Sequence, residues 1–256
     1  TTLDEKPYLV GTTLGGVALT DGATFNVPRG VTVMIDAAAS IKLRAAVIDV
    51  GSSTGLVSRA GASLQVLGTP GRNVLFTSYH DDSIGGDSDG VGPAVQGGQW
   101  GGIVIRQDAD TPRGNAAGSH DPWSNKAWVN TISHATLRYG GGNVMVDSKL
   151  QSFAPIHIES NRPTIAFNEI LSAAGAGISA DPNSFEDSGN RFGPEVRGNR
   201  LLVPEAGVVG GDRDPHCAAA SSPRPITLSS RIGFTPSKIG STSASTTRRE
   251  IGSSSE

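Results

Sequence analysis

Four aspartates crowd the stretch His80-Asp81-Asp82-Ser83-Ile84-Gly85-Gly86-Asp87-Ser88-Asp89-Gly90, and here the residue types come closest to a definite chemistry. Carboxylates one residue apart, with Gly beside them, can wrap a hard cation. Asp81, Asp82, Asp87 and Asp89 are therefore candidate calcium ligands, with Asp87 and Asp89 as the core pair. An EF-hand is excluded, because the twelfth residue counted from Asp81 is Gly92 and from Asp87 is Gly98, where a bidentate Glu is needed. The same residues also read as a solvated loop whose Asp and Gly simply make turns. Asp81 and Asp82 have the composition of a glycosidase carboxylate pair, but adjacent residues of a strand point to opposite faces and weaken that reading.

Other residues are weighed in the same way. His157 and Glu159 stand two apart in Ile156-His157-Ile158-Glu159, so both face outward, with Arg162 close behind. That is either an acid–base pair or the charged outer face of a sheet. Arg106 and Arg138 each end an apolar run and are candidates to hold an acidic sugar, against the alternative of a solvated basic row. Trp123 and Trp128 lie in the polar stretch Ser119–Trp128, where exposed aromatics either stack on sugar rings or cap an apolar edge. Trp100, set between Gly-Gly-Gln and Gly-Gly, reads as structural. No residue is assigned a catalytic role.

The elements that must position these groups are short strands. Ile103-Val104-Ile105-Arg106 and Ile156-His157-Ile158-Glu159 send every second side chain to one face, and Val31–Ile35, Ile41–Leu43, Ala46–Val50, Leu64–Leu67 and Val74–Thr77 read as further short strands. One pattern is written twice: Ile165, Asn168 and Ile170 return 31 positions later as Val196, Asn199 and Leu201, with a looser copy at Ile132, Ala135 and Leu137. A fixed period of this size implies stacked supersecondary units. Asn between two strands suits a left-handed bend and, stacked on its equivalent, an amide ladder. Aligning Val74, Ile103, Ile132, Ile165 and Val196 spaces the units by 29, 29, 33 and 31 residues. Three long loops, Ser78–Trp100, Gln107–Val129 and Gly140–Ala154, separate the strands and are where function is sought.

Gly68-Thr69-Pro70-Gly71-Arg72-Asn73-Val74-Leu75-Phe76-Thr77-Ser78, the acidic run Asp81–Asp87, Gln99-Trp100-Gly101-Gly102-Ile103, His134-Ala135-Thr136-Leu137-Arg138-Tyr139-Gly140-Gly141-Gly142 and Arg162-Pro163-Thr164-Ile165 together resemble the right-handed parallel β-helix segments of large secreted or surface-attached bacterial proteins. The resemblance covers roughly residues 25–203 and implies a pectin-lyase-like fold. It implies no particular reaction, since one fold hosts many functions. The Asn-Thr-Asp, Gly-His-Gly and Arg-Ile-Lys motifs of β-helix polygalacturonases do not occur here. The motifs that surround the Arg of pectate lyases are missing as well.

The expected organisation is all-β: a lead-in segment over 1–24, a right-handed parallel β-helix over 25–211 with six or seven coils of roughly 30 residues, and a low-complexity, disordered tail over 212–256. The tail is rich in Ser, Thr, Arg and Pro and has too few apolar residues to offset its ordering entropy. With 34 Gly in 256 residues the chain is turn-rich. A net charge of −3 without a dense basic stripe argues against nucleic acid, and no apolar run is long enough for membrane insertion. Cys217 stands alone, leaving neither an intrachain disulfide nor a Cys-based zinc site. The first residues lack a signal-peptide layout and read as a processed or truncated end. The leading functional expectation is a noncatalytic scaffold or adhesive module of a larger extracellular or cell-surface protein, with further coils as its partners. The rivals are a polysaccharide lyase or glycoside hydrolase acting on acidic polysaccharide, and a calcium-dependent module binding a cell-surface glycan.

Overall fold

Short alternating runs make short strands, and a strand whose inner face is Ile, Val or Leu needs a neighbour of the same kind to cover it. In the computed structural model, which describes residues 6–13, 16–19, 24–110, 129–185 and 194–202 and the backbone of 226–228, the chain meets that need by visiting three sheets in rotation. The first turn comprises β1 (Tyr8–Val10), β2 (Thr24–Val27) and β3 (Thr32–Asp36); the second, β4 (Ser40–Leu43), β5 (Val47–Val50) and β6 (Ser63–Leu67). The third is β7 (Val74–Ser78), β8 (Ile103–Ile105) and β9 (Thr131–Ser133). The fourth starts with β10 (Ala135–Arg138), inserts a hairpin of β11 (Asn143–Val146) and β12 (Lys149–Ser152), and continues with β13 (Ile156–Ile158) and β14 (Thr164–Ala166). A fifth turn of β15 (Glu169–Leu171), β16 (Ile178–Ala180) and β17 (Glu195–Arg197) leads to β18 (Asn199–Leu202) and β19 (Ile226–Leu228).

The first sheet runs β1-β4-β7-β10-β15-β18, the second β2-β5-β8-β13-β16 and the third β3-β6-β9-β14-β17, every pairing among them parallel. This is the all-β, stacked parallel architecture expected of a parallel β-helix. Among the described residues it makes five full turns and the opening of a sixth, where the sequence predicted six or seven coils. The stack already includes β1, inside the segment read as a lead-in. Of the segment read as a tail only β19 is described, an antiparallel partner of β18; Cys217 and the rest of that segment lie outside the described residues.

Side chains in register build the core. Ile35, Val66, Ile132, Ile165 and Val196 form one interior row on the third sheet. Ile48, Ile103, Ile156 and Ile178 form another on the second, and Ile41, Phe76, Leu137, Ile170 and Leu201 a third on the first. The expected stacking of Ile132, Ile165 and Val196 is therefore present, but Val74, Ile103 and Ile132 are not equivalent positions. They lie on three different sheets of a single turn. Loops of coil-like length between β7 and β8 and between β8 and β9 imitate the repeat, so 61 residues separate Val74 from its true partner Ala135.

The asparagines stack as expected, with one difference at the bend. Asn168 Nδ2 donates to Asn199 Oδ1 at 3.0 Å and to the Ile132 carbonyl at 2.8 Å, while Asn168 Oδ1 accepts from the Ala135 amide at 2.8 Å. The left-handed residue is the one before each ladder position: His134 (φ 49°), Phe167 (φ 57°) and Gly198 (φ 62°). Asn contributes hydrogen bonds to neighbouring coils, and its neighbour contributes the bend.

Candidate functional site

Two polar clusters lie on the outer faces, one on each of two sheets. On the first sheet the outward row Leu9, Lys42, Thr77 and Arg138 is partly roofed by the acidic loop. The loop is fastened by Asp81, whose carboxylate accepts from Thr77 Oγ1 at 2.5 Å, Ser83 Oγ at 2.5 Å, the Ser83 amide at 3.2 Å and Arg138 Nη1 at 3.2 Å. Burial opposes ionisation of Asp81, but these donors and the Arg138 charge outweigh it and hold the carboxyl below its ordinary range. The buried Lys42 ammonium donates to the Gly86 carbonyl and Ser88 Oγ, both at 2.7 Å. Burial lowers its pKa, while Asp82, Asp81, Asp89 and Asp87 pull the other way.

Of the four candidate calcium ligands, the structure brings together Asp82, Asp87 and Asp89, with one carboxylate oxygen from each within 4.8 Å of the others. Asp81 is turned down to the sheet instead. Asp82 Oδ1 is buried with no hydrogen-bond partner. Asp89 accepts from the His80 ring, which holds its carboxyl below the usual range, and Asp87 accepts from the amides of Asp89 and Gly90. A cation entering here meets oxygen donors of the right kind, and also Lys42 as a competing charge.

The second cluster sits on the outer face of the second sheet. The hairpin β11–β12 folds over this face and buries Val47, Val104, Val144, Val146 and Phe153 together. Beside that patch, Arg106 Nε donates to the fully buried Asp49 at 2.7 Å and Arg106 Nη1 to both oxygens of Glu159 at 2.8 and 2.9 Å. Arg59 Nη1 reaches Asp49 from the other side at 3.5 Å. Burial pushes the Asp49 carboxyl above its ordinary range against the pull of Arg106. Arg106, desolvated as it is, is kept charged by Asp49 and Glu159. Burial opposes ionisation of Glu159 too, but the hydrogen bond from His157 and the Arg106 charge hold its carboxyl low. His157 sits between Glu159, with Nε2 to Oε1 at 3.4 Å, and Ser179, with Nδ1 to Oγ at 2.7 Å.

His157 and Glu159 thus share an outward face, as their spacing predicts, while Ile156 and Ile158 are buried. Arg106 and Arg138 are not brought together: they serve different sheets, and each guanidinium is engaged by carboxylates of this chain. Trp123 and Trp128 lie outside the described residues. Trp100 is core, its Nε1 donating to the Arg138 carbonyl at 2.7 Å and its ring meeting the backbone at Gly140, in keeping with the structural reading. Sequence reasoning passed over Lys42, Asp49 and Ser179. The first two carried a usable signal, a lone charge at an outward position of an apolar strand; Ser179 carried none.

Comparison of the chain with protein-family models, with curated proteins and with solved structures finds no match to any of them.

Proposed function

We propose that this chain is a scaffold or adhesive module of a larger extracellular or cell-surface protein, wound as a right-handed parallel β-helix of the pectin-lyase-like kind. Right-handed winding is supported by the general handedness of crossovers between parallel strands. One observation carries the functional reading. The two clusters lie on different sheets, and the arginines in them are engaged by carboxylates of this chain: Arg138 by Asp81, and Arg106 by Asp49 and Glu159. A lyase or hydrolase of acidic polysaccharide needs basic and carboxylate groups converging on one open groove. Here they fasten a loop and bind neighbouring strands together.

The test is incubation of the chain with polygalacturonate and other acidic polysaccharides, following unsaturated products by ultraviolet absorbance and new reducing ends by colorimetry. No release above buffer is expected. Steady release of either product that is lost in Arg138→Ala or Arg106→Ala overturns the scaffold reading.

A second reading, a calcium-dependent module that binds a cell-surface glycan, is favoured by the convergence of Asp82, Asp87 and Asp89 and by the unpartnered Asp82 oxygen. It shares the same fold and differs in predicting a response to calcium.

A further inference from the structure

We infer that Ser179, His157 and Glu159 form a serine-type acyl-transfer site that cleaves carboxylic esters at the last described strand of the second sheet. This goes beyond the scaffold reading and does not rest on it, since a supporting module can carry an ester-cleaving site on one face.

The three side chains are placed by register. Asp49, Val104, His157 and Ser179 form one outward row across β5, β8, β13 and β16, so the Ser179 hydroxyl lies directly beside the His157 ring. Oγ to Nδ1 is 2.7 Å, a hydrogen bond in which the hydroxyl donates in the tautomer that carries the ring proton on Nε2. In that tautomer the Nε2–H faces Glu159 Oε1 at 3.4 Å. Glu159 is a positioning residue, itself clamped by Arg106, and Arg106 is anchored on buried Asp49. The nucleophile, the base and the group that orients the base therefore stand in the order such chemistry requires. The His157 and Glu159 side chains retain 24% and 33% exposure, open enough to meet substrate.

A donor for the developing oxyanion comes from the backbone. The Gly177 carbonyl accepts from the Ile156 amide and the Asp181 amide donates to the Ile158 carbonyl. Residues 177, 179 and 181 therefore turn their backbone groups toward β13, while Ile178 and Ala180 turn theirs away. They face an edge that no described strand covers. The Ala180 N–H, next in sequence to Ser179, is the candidate donor. The Phe153 ring, 5.7 Å from the His157 ring, belongs to the buried apolar layer under the hairpin and flanks the pair.

The reaction balances with water as the only co-reactant. Ser179 Oγ bonds to the ester carbonyl carbon as its proton passes to His157 Nδ1. The tetrahedral species collapses by breaking the bond to the alcohol oxygen, which takes that proton and leaves. Water then adds to the acyl-serine, giving its proton to His157. Cleavage of the acyl bond returns the proton to Ser179 and releases the carboxylic acid.

The test uses the full chain with diisopropyl fluorophosphate and with p-nitrophenyl acetate. A single phosphoryl adduct is expected on Ser179 by peptide mass spectrometry, along with p-nitrophenol release that Ser179→Ala abolishes and His157→Gln lowers about 100-fold or more. Glu159→Gln should lower kcat with little change in KM and shift the pH profile of kcat, which a purely structural role does not do. The absence of an adduct on Ser179 in the folded wild-type chain overturns the assignment whether or not the variants fold. So does ester hydrolysis that survives Ser179→Ala. Neither outcome touches the scaffold reading, which is judged on polysaccharide cleavage alone.

Discussion

Asn168 makes hydrogen bonds to three neighbouring segments, and its removal leaves the Ala135 amide and the Ile132 carbonyl without partners in a buried bend. Asn168→Ala should cost about 1–3 kcal/mol per orphaned group, measured by denaturant unfolding, and Asn199→Ala a similar amount, since Asn199 accepts from the Asn168 amide and donates to the Ile165 carbonyl. Asp81 is the corresponding clasp on the first sheet. Because its folded pKa is depressed, its contribution is fully present above the unfolded-state value of 3.8 and is lost as pH falls through the lower folded value. Asp81→Asn should therefore lower the thermal midpoint at neutral pH, by about 1–3 kcal/mol in stability, and the gap from wild type should close in strong acid. The calcium reading is tested at the remaining carboxylates. Millimolar calcium should raise the midpoint in proportion to the logarithm of its concentration, Asp87→Asn with Asp89→Asn should abolish the rise, and Lys42→Met should enlarge it by removing the competing ammonium. Calorimetry with no heat and no stabilisation in either wild type or Lys42→Met would end the calcium reading.

The hairpin is the element that most changes the second sheet, because it converts an outward face into a second apolar layer. Phe153 is 6% exposed and packs with Val104 and Val144 beneath it, while the Arg106 guanidinium lies 5.8 Å from its ring centre. Phe153→Ala should destabilise by about 3–5 kcal/mol and open the Asp49–Arg106 pair to water, both readable from unfolding and from amide exchange at β5 and β8. Such a strand pair was hard to see in the chain, where 140–154 reads as a loop. Its turn residues, Asp147 and Ser148, both take positive φ, at 48° and 61°, without the Asn-Gly or Asp-Gly signature that marks such hairpins. The turn is held in part by a tertiary contact, Ser53 Oγ donating to the Asp147 carboxylate, from a residue far away in sequence.

At the scale of the molecule, a stack of coils in which each touches only its neighbours is held most firmly in the middle. The terminal strands β3 and β17 alternate between exposed and half-buried residues, whereas β5 and β8 are buried throughout. Hydrogen exchange should accordingly be slowest from β4 to β14 and fastest at β1–β3 and β17; uniform protection would mean that the turns unfold as one unit. The amino-acid sequence by itself determined the alternating strands of the central turns, their inward faces and the stacking of Ile132 on Ile165 on Val196 with the Asn ladder beside them. Alternation and a constant spacing are local properties that any reader of the chain can count. Only the tertiary structure decided that Val74, Ile103 and Ile132 share one turn, because loop length does not reveal which sheet a strand joins. It alone decided that Asp81 serves the sheet while Asp82, Asp87 and Asp89 converge. It also set Ser179 beside His157 and Arg106 between Asp49 and Glu159, since those contacts depend on register between coils, which spacing along the chain does not encode.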